Sequence, residues 1–164
     1  MDNCSMPLSL PLDDAMLARS LADVLEAVAF VSLMPLDSDI HTPPAEAEMY
    51  WIEFSGAYRG AVELVVPRQF SQMLTDNLLG PAGENDDSPL PDPGDGMKEL
   101  LNVLCGKVLQ ELPSDLVSRI EMGLPQRRIY SGEAQWQEFH ATAETFDADG
   151  HPITVRMRLE PVIA

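Results

Sequence analysis

The chain is poor in positive charge. Only 10 Lys and Arg stand against 27 Asp and Glu among 164 residues, for a formal net charge of −17. Binding to nucleic acid needs cations that neutralise phosphates, so that class is excluded, and attraction to anionic lipid fails on the same ground. The acidic excess itself reads as a solubility device. No stretch reaches the roughly 18 consecutive apolar residues of a membrane span. The opening MDNCSMPLSLPLDD has no Lys or Arg with which a secretory signal would begin. These absences lead to the expectation of a soluble, cytoplasmic protein. Cysteine is scarce as well: Cys4 and Cys105 are too few for a disulfide framework. Cys105, on an apolar helix face, reads as a small core residue rather than a nucleophile. His41, His140 and His151 are scattered, without helical pairing or a CxxC partner, so no metal site is expected.

What is present suits one globular domain. Hydrophobic residues make up 45%, and a chain of this length buries roughly 68–70% of its unfolded surface. Residues 1–12 read as a flexible lead and 13–164 as a single domain. Asp13 or Asp14 can cap a helix running from 13 to 33, with Leu17, Leu21, Val24, Leu25, Val28 and Val31 at helical spacing. Residues 48–55 and 60–66 are rich in aromatic and β-branched types and form a hairpin across Gly56–Gly60. Pro67 suits the first turn of a helix that buries Phe70, Met73, Leu74 and Leu78. Residues 80–94, GPAGENDDSPLPDPG, make an acidic Pro/Gly loop, read as a surface connector or a flap beside the next helix. That helix spans 95–112 and stops at Pro113. Short strands are expected at 118–123 and 127–130, and longer ones at 136–146 and 153–159 across a turn at 147–152. The order predicts an α+β fold: a largely antiparallel sheet with helices packed on one face.

The helix at 95–112 carries a pattern of its own. Asp95, Glu99, Asn102 and Gly106 recur at steps of four, three and four, which sets them on one line of an α-helix. Lys98 and Gln110 flank the line. Met97, Leu101, Leu104, Cys105 and Val108 cover the opposite side, widened by Leu100, Val103, Leu109 and Leu112. Asp95 opens the helix, where a carboxylate can accept from first-turn N–H groups for about 1 kcal/mol. Gly106 sits in a helix interior, where Gly costs roughly 0.8–1.0 kcal/mol against Ala. A close approach of another backbone is the natural compensation. Glu99 and Asn102 read alone as solvated face residues, although Asn is a poor mid-helix residue.

Asp95-x-x-x-Glu99-x-x-Asn102, with Gly106 four residues on, resembles the D/S-x-x-x-E-x-x-N signature of the CheC/CheX/FliY chemotaxis phosphatases. The surrounding order of elements is similar to the single-motif CheX-type domain. CheC-type members carry two such motifs, and Asp23–Val28 in the first helix lacks the E-x-x-N pattern. The resemblance implies a CheC-like fold and a phosphatase acting on the phospho-aspartate of a CheY-like receiver. It implies that Asn102 holds a water in line with phosphorus and that Glu99 pairs with a receiver lysine, with Asp95 and Gly106 in supporting positions. It implies no cofactor of the chain's own, the Mg²⁺ being supplied by the receiver, and it allows a homodimer through sheet edges. The alternative is a non-catalytic CheX-like module that binds a receiver or dimerises.

Overall fold

The computed structural model describes residues 13–36, 46–79, 92–130 and 133–161. The expected lead at 1–12 and nearly all of the 80–94 loop lie outside them.

The first helix, α1 (Asp14–Ala29), starts where the sequence indicates. The Asp13 carboxylate accepts the Met16 N–H at 2.7 Å. It ends four residues earlier than predicted because Phe30 turns into the left-handed region, φ 56°, and Val31 N–H reaches back to Leu25 C=O. The freed segment becomes a short strand, β1 (Leu33–Pro35).

The predicted hairpin is longer and its turn tighter. β2 (Ala47–Gly56) and β3 (Tyr58–Pro67) are joined at Ala57, so Gly56, Gly60 and Pro67 lie within strands. α2 (Arg68–Leu79) follows at once, and α3 (Asp95–Leu109) comes after the acidic segment. α4 (Ser114–Val117), β4 (Ile120–Met122) and β5 (Gln126–Ile129) are short. Residues 133–141 correct the sequence reading: they form a helix, α5 (Glu133–Ala141), not the first half of a strand. Trp136 and Phe139, placed in a strand by the sequence reading, are three apart on one buried helix face, and the His140 ring lies tilted against Trp136 at 5.3 Å. Only β6 (Glu144–Ala148) is strand, paired with β7 (His151–Pro161) through a two-residue turn. Asp149 (φ 47°) and Gly150 (φ 90°) supply the two positive φ angles that such a turn needs.

All described pairings are antiparallel, in the order β1-β6-β7-β3-β2-β4, with β5 also lying along β2. Alternation sorts side chains between the two faces. Tyr50, Ile52 and Phe54 of β2, Val62, Leu64 and Val66 of β3, and Ile153 and Val155 of β7 meet the apolar sides of α1, α2 and α3 in the main core. The predicted α+β class with three helices on one sheet face is therefore observed. The opposite face carries a smaller cluster in which Ala47, Met49 and Val65 are met by Tyr130 and by Trp136 and Phe139 of α5.

Candidate functional site

α3 lies against α1, α2 and β2, and its apolar side is completely enclosed. Met97, Leu100, Leu101, Leu104, Cys105 and Val108 are buried. Cys105 belongs to this packing, and burial alone pushes its thiol up to about 12, which keeps it protonated and unreactive. Glu99 and Asn102 face solvent from the other side. They are three residues apart and so neighbours on the helix surface. Among the described residues, no hydrogen bond or ion pair engages either side chain. Val103 departs from the sequence reading: it is 38% exposed and extends the ridge beside Asn102. Lys98 is half-buried, and Lys107 reaches Asp23 of α1 at 3.2 Å in an exposed pair of little energetic weight.

The two supporting positions behave differently from expectation. Asp95 is the first helical residue, with Gly94 in the capping place. Its carboxylate accepts the N–H of Asp92, three residues before it, at 3.1 Å, rather than an N–H of the first turn. The capping work is done from outside the helix. Thr75 of α2 accepts the Gly96 N–H with its Oγ1 at 3.0 Å and donates to the Pro93 carbonyl at 2.6 Å. The close approach expected at Gly106 is found at Gly96 instead. A Cβ on Gly96 would lie 2.6 Å from the Thr75 Cα, whereas a Cβ on Gly106 would meet nothing within 4 Å among the described residues. Gly106 thus leaves open space on the ridge, one turn beyond Asn102.

A charged network, missed in the sequence, holds the start of α3. Glu48 of β2 is buried, and its carboxylate accepts from the Tyr50 hydroxyl, from Ser71 Oγ of α2 at 3.2 Å and from Arg127 of β5 at 2.6 Å. The other arm of Arg127 donates to Asp92 at 2.8 Å, and the same Asp92 oxygen accepts the Gly94 N–H at 2.7 Å. Burial, and then the bond to Glu48, push the Tyr50 phenol well above its ordinary range, so it remains a donor. A side chain on Gly94 would crowd both the Tyr50 hydroxyl and Arg127, at 3.0 and 3.1 Å. The sheet, α2 and the entry to α3 are thereby fixed to one another. The only sequence signal for this was Glu48 at a position that alternation turns inward.

The sequence profile described as chemotaxis phosphatase CheX matches residues 50–135, more than half of the chain. The chain belongs to the CheX family. The match contains α3 whole, together with the Arg127 network apart from Glu48. Solved structures agree at the level of fold. The chemotaxis protein CheX from Vibrio vulnificus is 18% identical, covers 89% of this chain and 95% of its own, and superposes with a TM-score of 0.62. CheX of Borrelia burgdorferi, solved in a CheX–CheY–BeF3–Mg complex, is 13% identical over 90% of this chain and 98% of its own, TM-score 0.53. FliY of Thermotoga maritima is 14% identical over 92% and 90%, TM-score 0.54. Comparison with curated protein sequences gives no match.

These contacts have measurable consequences for stability. Gly106→Ala should stabilise the protein by roughly 0.8–1.0 kcal/mol, since the new methyl meets open space. Gly96→Ala should destabilise it by about 1–3 kcal/mol because α2 and α3 must part. Urea unfolding midpoints read both, and equal effects would contradict the packing described. Arg127→Met should cost about 3 kcal/mol by stranding the Glu48 carboxylate. The further change Glu48→Gln should then cost much less than it does alone, because the two positions are coupled.

Proposed function

We propose that this protein is an aspartyl-phosphate phosphatase acting on a CheY-like receiver domain, with Glu99 and Asn102 as its working pair. The observation that carries the reading is their placement: both are exposed and without partners among the described residues, on a helix otherwise fixed in the core. Membership of the chemotaxis phosphatase CheX family supports the reaction class, and the Borrelia CheX complex with CheY supports the partner.

The reaction asks little of the enzyme beyond placement. A water oxygen attacks phosphorus, the bond from phosphorus to the aspartyl oxygen breaks, and the aspartate leaves as a carboxylate. The water's oxygen and protons go to phosphate and bulk solvent. An acyl phosphate has a good leaving group, so positioning and electrostatics suffice without a covalent enzyme intermediate. The Asn102 carboxamide has the right chemistry, an oxygen that accepts from the water and an N–H₂ that can donate. A carboxylate at the same place would be repelled by the phosphoryl group, by about 1–4 kcal/mol at ~4 Å between water-like and surface dielectric values. Glu99, one turn earlier on the same line, is placed to pair with a receiver lysine and set the docking angle. The Mg²⁺ of the reaction is assigned to the receiver, as the family resemblance implies. The open space at Gly106 gives the receiver's surface room to approach Asn102.

The test is phosphate release from phosphorylated CheY-like receivers with and without the protein. The parent chain should accelerate release from a cognate receiver. Asn102→Ala should lose about a hundredfold or more of the acceleration while its unfolding free energy stays within about 0.5 kcal/mol. An Asn102→Ala variant as fast as the parent would overturn the assignment. Phosphorylation-dependent binding without faster phosphate loss would leave a docking module in place of an enzyme.

A further inference from the structure

On the sheet face turned away from α3, which also carries Glu53 and Glu160 by alternation, three arginines stand close together. Although Lys and Arg number only 10 against 27 acids, Arg128, Arg156 and Arg158 gather there around two neighbouring cavities. One, about 220 Å³, is lined by Met49, Arg128, Tyr130, Glu138, Phe139 and Arg156. The other, about 190 Å³, is lined by Met49, Trp51, Glu63, Arg128 and Arg158. Arg128 and Met49 belong to both.

The acids in this neighbourhood do not cancel the cations. Glu63 is buried and paired with two arginines: Arg156 binds one oxygen at 2.6 Å and Arg158 Nε the other at 2.9 Å. Arg156 is further held by Thr142 at 2.9 Å and lies 4.5 Å over the Phe139 ring. Glu138 stands exposed at the rim. Arg128 is the cation left over. Among the described residues no carboxylate meets it. Its guanidinium lies 5.8 Å from both the Trp51 and Tyr130 rings, with one arm on Met49 Sδ at 3.3 Å. Rings and thioether hold the group at the cost of one weak N–H···S bond, and among the described residues its other N–H donors meet no carboxylate. That is a pre-organised receptor for a carboxylate, with little rotamer freedom left to lose on binding.

We propose that this face is a docking site for an acidic segment of a protein partner, with carboxylate side chains seated in the two cavities against Arg128. Size and lining select the occupant. Cavities for whole small molecules and cofactors run to roughly 300–1,000 Å³, whereas these are of side-chain size. The apolar surface of Met49, Trp51 and Phe139 beside the cations suits a peptide in which acidic residues alternate with apolar ones. A bare anion would use only the guanidinium. The site lies on the opposite sheet face from the Glu99–Asn102 ridge, so both can be occupied together, and it stands independently of the phosphatase reading.

An NMR titration of the full-length ¹⁵N-labelled protein with the peptide acetyl-Glu-Leu-Glu-Leu-Glu-amide tests this. Saturable shifts are expected at residues 49–51, 128, 139 and 156–158, with the α3 ridge unmoved. Affinity should fall at least tenfold in Arg128→Gln, and less in Arg158→Gln, where Arg156 still holds Glu63. Four results would overturn the proposal: no saturable shift; equal binding of the Gln-for-Glu peptide; inorganic phosphate binding as tightly as the peptide; or concentration-dependent self-association that protects the same residues. The first would remove the site, the second its charge recognition, the third its peptide specificity, and the last would put a second copy in the partner's place.

Discussion

The bridge from Glu48 through Arg127 to Asp92 is the constraint on which the rest of the site depends. A carboxylate buried in the sheet is tolerable only when its lone pairs are filled by charged or hydroxyl donors. Filling them draws together a strand residue, a hydroxyl on α2 and an arginine 79 positions later in the chain. The arginine's second arm then fixes Asp92, whose carboxylate also takes the Gly94 N–H just before α3. Thr75 completes the grip from α2. The helix is therefore fixed at its entry by polar contacts and along its length by Leu100, Leu101, Leu104 and Val108. A working pair needs a supporting shell of this kind, because small errors in placement are expensive in water-positioning chemistry.

What the helix leaves outside is as specific as what it buries. Glu99 and Asn102 are exposed, Val103 lies partly beside them, and Gly106 presents no side chain. In the proposed reaction a charged residue and an amide carry the chemistry, and an empty position leaves room for approach. No packing contact among the described residues requires a glycine at 106, in contrast to Gly96, which is required by the contact of two helices. On the reverse of the sheet the chain's few arginines do something different. Arg156 and Arg158 pair with Glu63, while no carboxylate among the described residues meets Arg128.

Much of this was legible in the sequence wherever one period dominates. The amphipathic pattern of α1 and α3, the alternation of β7 and the line of Asp95, Glu99, Asn102 and Gly106 follow from spacing, and β2 and β3 from their aromatic and β-branched residues. The misreadings have local physical causes. Trp136 and Phe139 have strand propensity, but they pack as a helix face against the sheet, so tertiary burial prevailed over intrinsic preference. The end of α1 is set by a left-handed Phe30, a conformation that a bulky residue seldom adopts and that its identity does not announce. The glycine at which two helices approach closely is Gly96, not Gly106. At the first turn of a helix Gly96 costs little, so nothing in propensity marked it. The Glu48–Arg127–Asp92 network joins residues far apart in sequence, and no periodicity reports such a pairing.

The central claim is that the exposed side of α3, and no other surface, receives a phosphorylated receiver. Amide hydrogen exchange on the full chain, with and without a cognate CheY-like receiver held in its phosphorylated form, measures this directly. New protection concentrated in residues 98–106, with β7 and the Arg128 face unchanged, is the result this account requires. Protection that falls on the sheet edges or on the α5 face, with α3 unaffected, would contradict it.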